Sequence, residues 1–136
     1  MEKLFTILIG ALLLASPAAG ADDSLEAAKL LRAGRYQLAL AQVDAVLASR
    51  PRDPRARMLK GQILSEQGRA KEAIATFKKL TEEYPEIPEP YHRLALLYSA
   101  EGQYEKSRAV LHKSFLALST ARHGADFDAP RSGSTQ

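Results

Sequence analysis

The 136-residue sequence contains no cysteine. A disulfide framework, a thiolate metal site and a cysteine nucleophile are therefore all excluded. Because small exported domains with weak cores usually depend on disulfides, a chain without them must be held together by packing alone. The net charge of +3 is mildly basic, and nothing in it demands a nucleic-acid partner.

Motifs for catalysis and cofactor binding are missing as well. The sequence has no G-x-S-x-G elbow, Walker loop or dinucleotide fingerprint. Its three histidines, His92, His112 and His123, lack the spacing of a zinc site. The segment HGADFD, which starts at His123, combines histidine with carboxylates, but the polar stretch APRSGSTQ behind it favours an unstructured end. We therefore expect no metal site, no cofactor and no enzymatic activity.

The sequence has no apolar run long enough to cross a bilayer, which needs roughly 20 residues. Its longest run, residues 4–15, follows a single lysine and precedes small residues in an A-x-A arrangement. This order predicts a signal peptide over residues 1–21, cleaved before Asp22, and an uncleaved membrane anchor is the alternative. We expect an exported protein, in a periplasm, with no stable membrane anchor after cleavage.

What the sequence does contain is a repeat. Gly34, Gly68 and Gly102 are spaced 34 residues apart, and apolar residues at three- and four-residue steps precede and follow each of them. This pattern predicts an amphipathic helix on both sides of every glycine. The glycine supplies the positive φ of the turn between paired helices. Pro51 and Pro85 end the second helix of the first two pairs, because proline cannot continue a helix.

Helix–turn–helix units with a 34-residue period resemble the tetratricopeptide repeat family. The third unit matches best and places the aromatic, leucine, small residue and tyrosine of the family pattern at Tyr91, Leu94, Ala95 and Tyr98. The middle unit departs from the pattern at Arg57 and Lys60, which are usually apolar positions. More narrowly, the segment that begins KLTEEYPEIPEPYHRLALLY resembles small exported repeat proteins of Gram-negative bacteria.

This resemblance implies an all-α, right-handed α-solenoid of three tetratricopeptide helix pairs behind the signal peptide. The implied repeats cover residues 22–53, 54–87 and 88–121, and a disordered tail covers residues 122–136. Each pair must stack on a neighbour, since it cannot bury its apolar stripe alone. Small residues at Ala39, Ala73 and Ser107 allow close approach within each pair. The first helices then line a concave groove.

That groove is the first candidate binding surface, because in resembling proteins it receives a peptide from a partner. The predicted residues are Arg55, Met58, Gln62, Ser65, Glu89, His92, Leu96 and Ser99. They are mixed polar and apolar, without the concentration of lysine, arginine and asparagine that suggests capture of a terminal carboxylate. For any single one of them, an ordinary surface position is the alternative.

The end of the stack is the second candidate surface. Solenoids normally finish with a polar capping helix. Here the last predicted helix carries Leu111, Phe115 and Leu118 at three- and four-residue steps, and no further amphipathic helix follows Thr120. Uncovered apolar stripes of this kind usually mark association surfaces. We predict that this face forms a homo-oligomer or docks onto a larger envelope protein.

A basic run from Arg50 to Lys60 has two interpretations. It could be a docking patch for anionic material, or a solvated loop in which Arg57 and Lys60 extend over the apolar stripe. Aromatic residues that could stack with bases do not accompany it, which argues against nucleic acid.

These observations favour a non-catalytic scaffold or adaptor of the cell envelope that binds another protein. A chaperone-like accessory factor in cell-wall synthesis, secretion or cytochrome maturation is the nearest alternative. An enzyme subunit or small hydrolase would require a pocket with convergent titratable groups. A nucleic-acid adaptor would require binding that weakens with salt, together with failure of the export signal.

Overall fold

The computed structural model describes residues 20–127, and this part of the chain is helical without strands. Its six helices are α1 (Gly20–Arg32), α2 (Tyr36–Ser49), α3 (Pro54–Glu66), α4 (Ala70–Glu83), α5 (Glu89–Ala100) and α6 (Tyr104–Phe127).

The helices form three antiparallel pairs that stack in chain order. Within the pairs α1 packs on α2, α3 on α4 and α5 on α6, while α2 contacts α3 and α4 contacts α5 between pairs. Of the first helices, α1 also contacts α3 directly. The side of the stack formed by α1, α3 and α5 is called the inner face below. The all-α solenoid of three helix pairs predicted from the sequence is confirmed.

The turn within each pair has the same backbone conformation. Gly34, Gly68 and Gly102 have φ values of 71°, 73° and 73°. Each glycine N–H donates to the carbonyl three residues earlier, and the next N–H donates to the carbonyl five residues earlier, at 2.8–3.0 Å. This is the Schellman pattern, which needs a residue with positive φ. The predicted role of the three glycines in the turns is confirmed.

Two apolar clusters fill the interior. The first contains Ala27, Ala39 and Val43 from the first pair, with Leu59 and Ile63 from α3. The second contains Leu64, Ala73, Phe77 and Leu80 from the second pair, with Leu94 and Tyr98 from α5. Each cluster thus joins one pair to the first helix of the next, so neighbouring pairs share a core.

One close contact in this core requires glycine. Gly61 lies in the middle of α3, and a Cβ built there would be 2.6 Å from the Cε1 and Cζ atoms of the fully buried Phe77 ring. A real side chain cannot approach so closely. The missing side chain at Gly61 therefore makes the space that Phe77 occupies.

Polar side chains tie the connections between pairs to the helices. The Asp53 carboxylate caps α3 by accepting from the N–H groups of Arg55 and Ala56, at 2.9 and 3.1 Å. The Tyr84 hydroxyl donates to the Arg52 carbonyl at 2.6 Å. The buried Tyr91 hydroxyl donates to the Thr81 carbonyl in the last turn of α4, at 3.2 Å. Such a carbonyl has no partner within its own helix.

The C-terminal end of the described residues differs from the sequence prediction. The last helix does not end near residue 121: α6 has 24 residues, compared with 14 in α2 and in α4, and runs to Phe127. Residues 122–127 are thus helical rather than part of a disordered tail. The physical reason is that Ser119 stands where Pro51 and Pro85 end the earlier pairs, so the helix meets no proline. Residues 128–136 lie outside the described residues.

At the other end, α1 begins at Gly20, so its first two residues fall inside the predicted signal peptide. Residues 1–19, which contain the rest of the predicted signal peptide, lie outside the described part of the chain.

Candidate protein-binding surfaces

The inner face of α3 and α5 carries the residues predicted to form the groove. Four of them are exposed: Arg55, Glu89, His92 and Leu96, and Leu96 keeps 54% of its surface accessible. Glu89 forms an ion pair with Arg93 at 3.1 Å along the same helix. His92 and Leu96 are separated by one helical turn. They present an imidazole next to an apolar side chain, which suits contact with a partner that is itself partly apolar.

The other four predicted groove residues are half-buried: Met58, Gln62, Ser65 and Ser99. Met58 packs against the second apolar cluster. The Ser99 hydroxyl donates to the Ser107 hydroxyl at 2.9 Å, which in turn donates to the Ala95 carbonyl at 2.9 Å. Met58 and Ser99 thus help to hold helices together, and their role in partner binding stays a prediction.

The basic run between α2 and α3 is largely engaged in ion pairs. Arg50 pairs with Asp53 at 3.1 Å and Lys60 with Asp44 on α2 at 2.7 Å. Arg57 pairs with Glu83 on α4, and its Nε donates to the Pro51 carbonyl at 2.8 Å. Arg57 and Lys60 therefore connect α3 to its two neighbours rather than only extending over the apolar stripe. These ion pairs neutralise much of the positive charge that an anionic ligand would need.

These ion pairs were missed by sequence reasoning. Arg57 stands 26 residues before Glu83, so the two residues are not neighbours in the sequence. The one signal in the sequence was the pair of basic residues at positions that are usually apolar. A charge that replaces a core residue needs a partner nearby, and only the fold shows which acid is near.

The end face of the stack is formed by α6. Phe115 keeps 68% of its surface exposed, Leu111 47% and Leu118 39%. These are the three residues predicted to form an association face, and the structure brings them onto one side of α6. Tyr104 and Leu116, which the prediction did not include, are exposed on the same helix.

Two titratable groups near the turn into α4 influence each other. The Arg69 guanidinium donates to both carboxylate oxygens of Glu72, at 2.8 and 2.7 Å. These hydrogen bonds lower the pKa of Glu72 and raise the pKa of Arg69. In the core, burial raises the pKa of Tyr91, with a smaller contribution from the charge of Glu86. All three groups have structural explanations and are not arranged around a common pocket.

Among the residues with described side chains, no three histidines and carboxylates come together as a metal site. His123 donates its Nδ1–H to the Ser119 carbonyl at 3.0 Å, within α6. The carboxylates of the HGADFD segment lie outside the residues whose side chains are described. None of the helices in residues 20–127 combines the length and apolarity needed to span a membrane.

Comparison with known families explains this architecture. Two sequence models described as the tetratricopeptide repeat match residues 25–87 and residues 64–118, so that together they cover most of the described chain. The chain belongs to the tetratricopeptide repeat family. Repeats of this kind stack into extended surfaces that bind other proteins. Family membership therefore supports a protein-binding scaffold at the level of the class.

Solved structures support the fold of this tetratricopeptide repeat protein. MamA from Desulfovibrio magneticus RS-1 is 23% identical with a TM-score of 0.68, over 78% of this chain and 59% of that one. A MamA structure designated MSR-1 is 22% identical with a TM-score of 0.63, over 76% of this chain and 62% of that one. This chain thus spans about three fifths of these two structures. No protein with a curated description matches it.

Proposed function

We propose that this tetratricopeptide repeat protein is a non-catalytic scaffold of the bacterial cell envelope, exported by its N-terminal segment, that binds another protein. Binding uses the inner face of α3 and α5, the end face of α6, or both. The proposed location rests on the order of charged, apolar and small residues in residues 1–21.

The observation that supports the proposal best is the exposure of apolar side chains on both faces. Leu96 on the inner face and Phe115 on the end face each keep more than half of their surface accessible, at 54% and 68%. Exposed apolar groups set among polar ones are typical of sites where proteins associate. By contrast, the titratable groups with shifted pKa values are explained by an ion pair and by burial.

Site-specific crosslinking in cells tests this function. A photoreactive residue is introduced at His92 or at Phe115, and at Ala48 as a control because Ala48 is exposed on α2 away from both faces. We expect a discrete crosslinked protein from His92, from Phe115 or from both, and none from Ala48. An identical crosslinking pattern at all three positions would contradict specific binding.

Export is tested separately. Fractionation of cells that express the full chain, followed by N-terminal sequencing, should find the protein in the periplasmic fraction with Asp22 as its first residue. A cytoplasmic protein that retains residues 1–21 would contradict the proposed location and leave the scaffold function open.

A further inference from the structure

One side of α6 carries a continuous stripe with an arginine near each end. At steps of three and four residues the helix presents Arg108, Leu111, Phe115, Leu118 and Arg122. Residues at these steps lie along one helix face, and all five are exposed. The three apolar side chains therefore form the centre of the stripe, and the arginines stand 14 residues apart, about 21 Å along the axis.

The apolar centre of this stripe includes a repeat position that is buried between helix pairs in the first two repeats. Leu111 is 34 residues after Phe77 and 68 after Val43. Phe77 is fully buried against Leu94 and Tyr98 of α5, and Val43 is fully buried against Leu59 and Ile63 of α3. The same repeat position is therefore covered by a helix twice within the chain and is exposed the third time. The matching occupant of the α6 stripe is a helix.

The charge of α6 indicates which helix fits. Between Lys106 and Gly124 the helix carries Lys106, Arg108, Lys113 and Arg122 and no aspartate or glutamate. Arg108 has an ion pair with Glu105 at 2.8 Å, but both side chains are almost fully accessible to water, so this pair does little to fix the guanidinium. A partner with carboxylates at the two ends of its apolar stripe would complement α6.

A second copy of the chain fits this surface poorly. If two α6 helices packed antiparallel about Phe115, which lies midway along the stripe, the two-fold symmetry would place Arg108 opposite Arg122 at both ends. Head-to-tail stacking, with α1 of a second copy on α6, is also unfavourable. Lys29 of α1 stands at the repeat position of the buried Ile63, so this stacking would bury a lysine that forms an ion pair with Glu26. Residues 128–136 contain no large apolar side chain that could cover the stripe.

We propose that the α6 stripe binds an acidic amphipathic helix of another protein, in the position that α3 takes on α2 and that α5 takes on α4. The partner helix carries an apolar stripe with a glutamate or aspartate at each end, about 14 residues apart. This inference rests on the proposed scaffold function and names the chemistry of the partner at one of its two faces.

Two synthetic peptides test the inference. Both are fluorescent helix-forming peptides with the same central stripe of leucine and tyrosine at three- and four-residue steps. One has glutamate at both ends of the stripe, and the other has lysine. Fluorescence anisotropy with the full-length protein should show binding at least about tenfold tighter for the glutamate peptide. The double variant Arg108→Glu/Arg122→Glu should reverse this preference.

Apolar variants locate the binding. Phe115→Ser should weaken binding of the glutamate peptide by at least about tenfold, as truncation of a central aromatic residue does at other interfaces. Leu38→Ser is the matched control, because Leu38 is also an exposed apolar residue but lies on α2, outside both proposed binding faces. It should leave peptide binding unchanged. Both changes are at exposed positions, and circular dichroism confirms that each variant is folded.

Four results would overturn the inference. In the first two, the protein binds the two peptides with equal affinity or binds neither of them. In the third, the protein binds only vesicles that contain phosphatidylglycerol. In the fourth, sedimentation shows a stable dimer that Phe115→Ser dissociates. Each of them leaves the scaffold function intact if a photoreactive residue at His92 still captures a partner in cells. Conversely, loss of crosslinking at both positions counts against the scaffold function even where the glutamate peptide binds.

Discussion

Replacing Gly61 with alanine tests the most demanding contact in the core. The added methyl group would be 2.6 Å from two atoms of the Phe77 ring, whereas ordinary contacts at this position begin at 3.4 Å. The ring would therefore have to move by about 0.8 Å, which is the difference between these two distances. Phe77 has no exposed surface, and Leu64, Leu80 and Leu94 belong to the same cluster. The ring consequently cannot move into empty space.

Two opposing effects determine the size of the change. Alanine in a helix interior is about 1 kcal/mol more favourable than glycine. Forcing an extra methyl group into a packed core costs about 1–3 kcal/mol. We expect the cost to prevail, so that Gly61→Ala lowers the free energy of unfolding by about 1 kcal/mol. Urea denaturation followed by circular dichroism measures the difference.

A double-mutant cycle assigns the effect to the ring. In a Phe77→Leu background the clash is relieved, and Gly61→Ala should become neutral or stabilising, with a coupling energy of about 1–2 kcal/mol. Gly124→Ala is the matched control, because Gly124 is also helical and has nothing within 4 Å of a built Cβ. It should not lower stability. If Gly61→Ala were as stable as the unchanged protein, or equally destabilising in both backgrounds, the reasoning would be refuted.

Four further predictions concern packing, helix length and ionisation. Ala73→Phe should lower the free energy of unfolding by about 1–3 kcal/mol, because Ala73 has no exposed surface; an unchanged melting midpoint would show that the helix register is wrong. Ser119→Pro should end α6 near the position where Pro51 and Pro85 end the earlier pairs, which hydrogen exchange of residues 120–127 would report while the melting midpoint stays nearly constant. The pKa of Glu72 should lie below its ordinary value of 4.5 in an NMR titration and should return toward that value in Arg69→Gln. Because the pKa of Glu72 is lower in the folded state than in the unfolded state, its ion pair makes a small contribution to stability above about pH 4.5. This contribution is lost as the pH falls through the folded-state pKa. Tyr91→Phe should cost about 1 kcal/mol, because it leaves the Thr81 carbonyl without its donor, and a Tyr91 pKa that is not raised above 10 in the unchanged protein would contradict its burial.

The repeat made most of the fold predictable. Three glycines at a constant interval fix where each turn lies, and their positive φ follows from the turn geometry rather than from long-range contacts. The four residues at positions 91, 94, 95 and 98 are buried as their spacing predicts. Both predictions succeed because they depend on helical periodicity, which is a local property of the chain.

The exposure of individual groove residues was harder to predict. Met58 lies on the angular sector of α3 that was assigned to the groove, yet it packs on the second cluster because α3 has neighbours on several sides. A middle helix buries more of its circumference than a terminal one does. Ser99 likewise meets Ser107, a contact that depends on how closely α5 and α6 approach. Periodicity gives the direction of a side chain but not the distance to the next helix.

The end of α6 shows a different limit. The polar composition after Thr120 predicts disorder, whereas the helix continues to Phe127. The local signal that was overlooked is the absence of proline at position 119. Arg122 continues the three- and four-residue spacing of the stripe beyond the predicted end. Both features were visible in the sequence, but they are informative only when position 119 is compared with its equivalents in the first two repeats.

Within residues 20–127 the main contacts between helices join near neighbours along the chain, and α1 and α3 are the most widely separated helices among these main contacts. The chain can therefore gain or lose a whole 34-residue cassette without redesign of the remaining units. Duplication of residues 69–102 would insert one more cassette between existing turns. In this way a gene could change the reach of the protein in steps of one unit while its two ends, and whatever they recognise, are inherited unchanged.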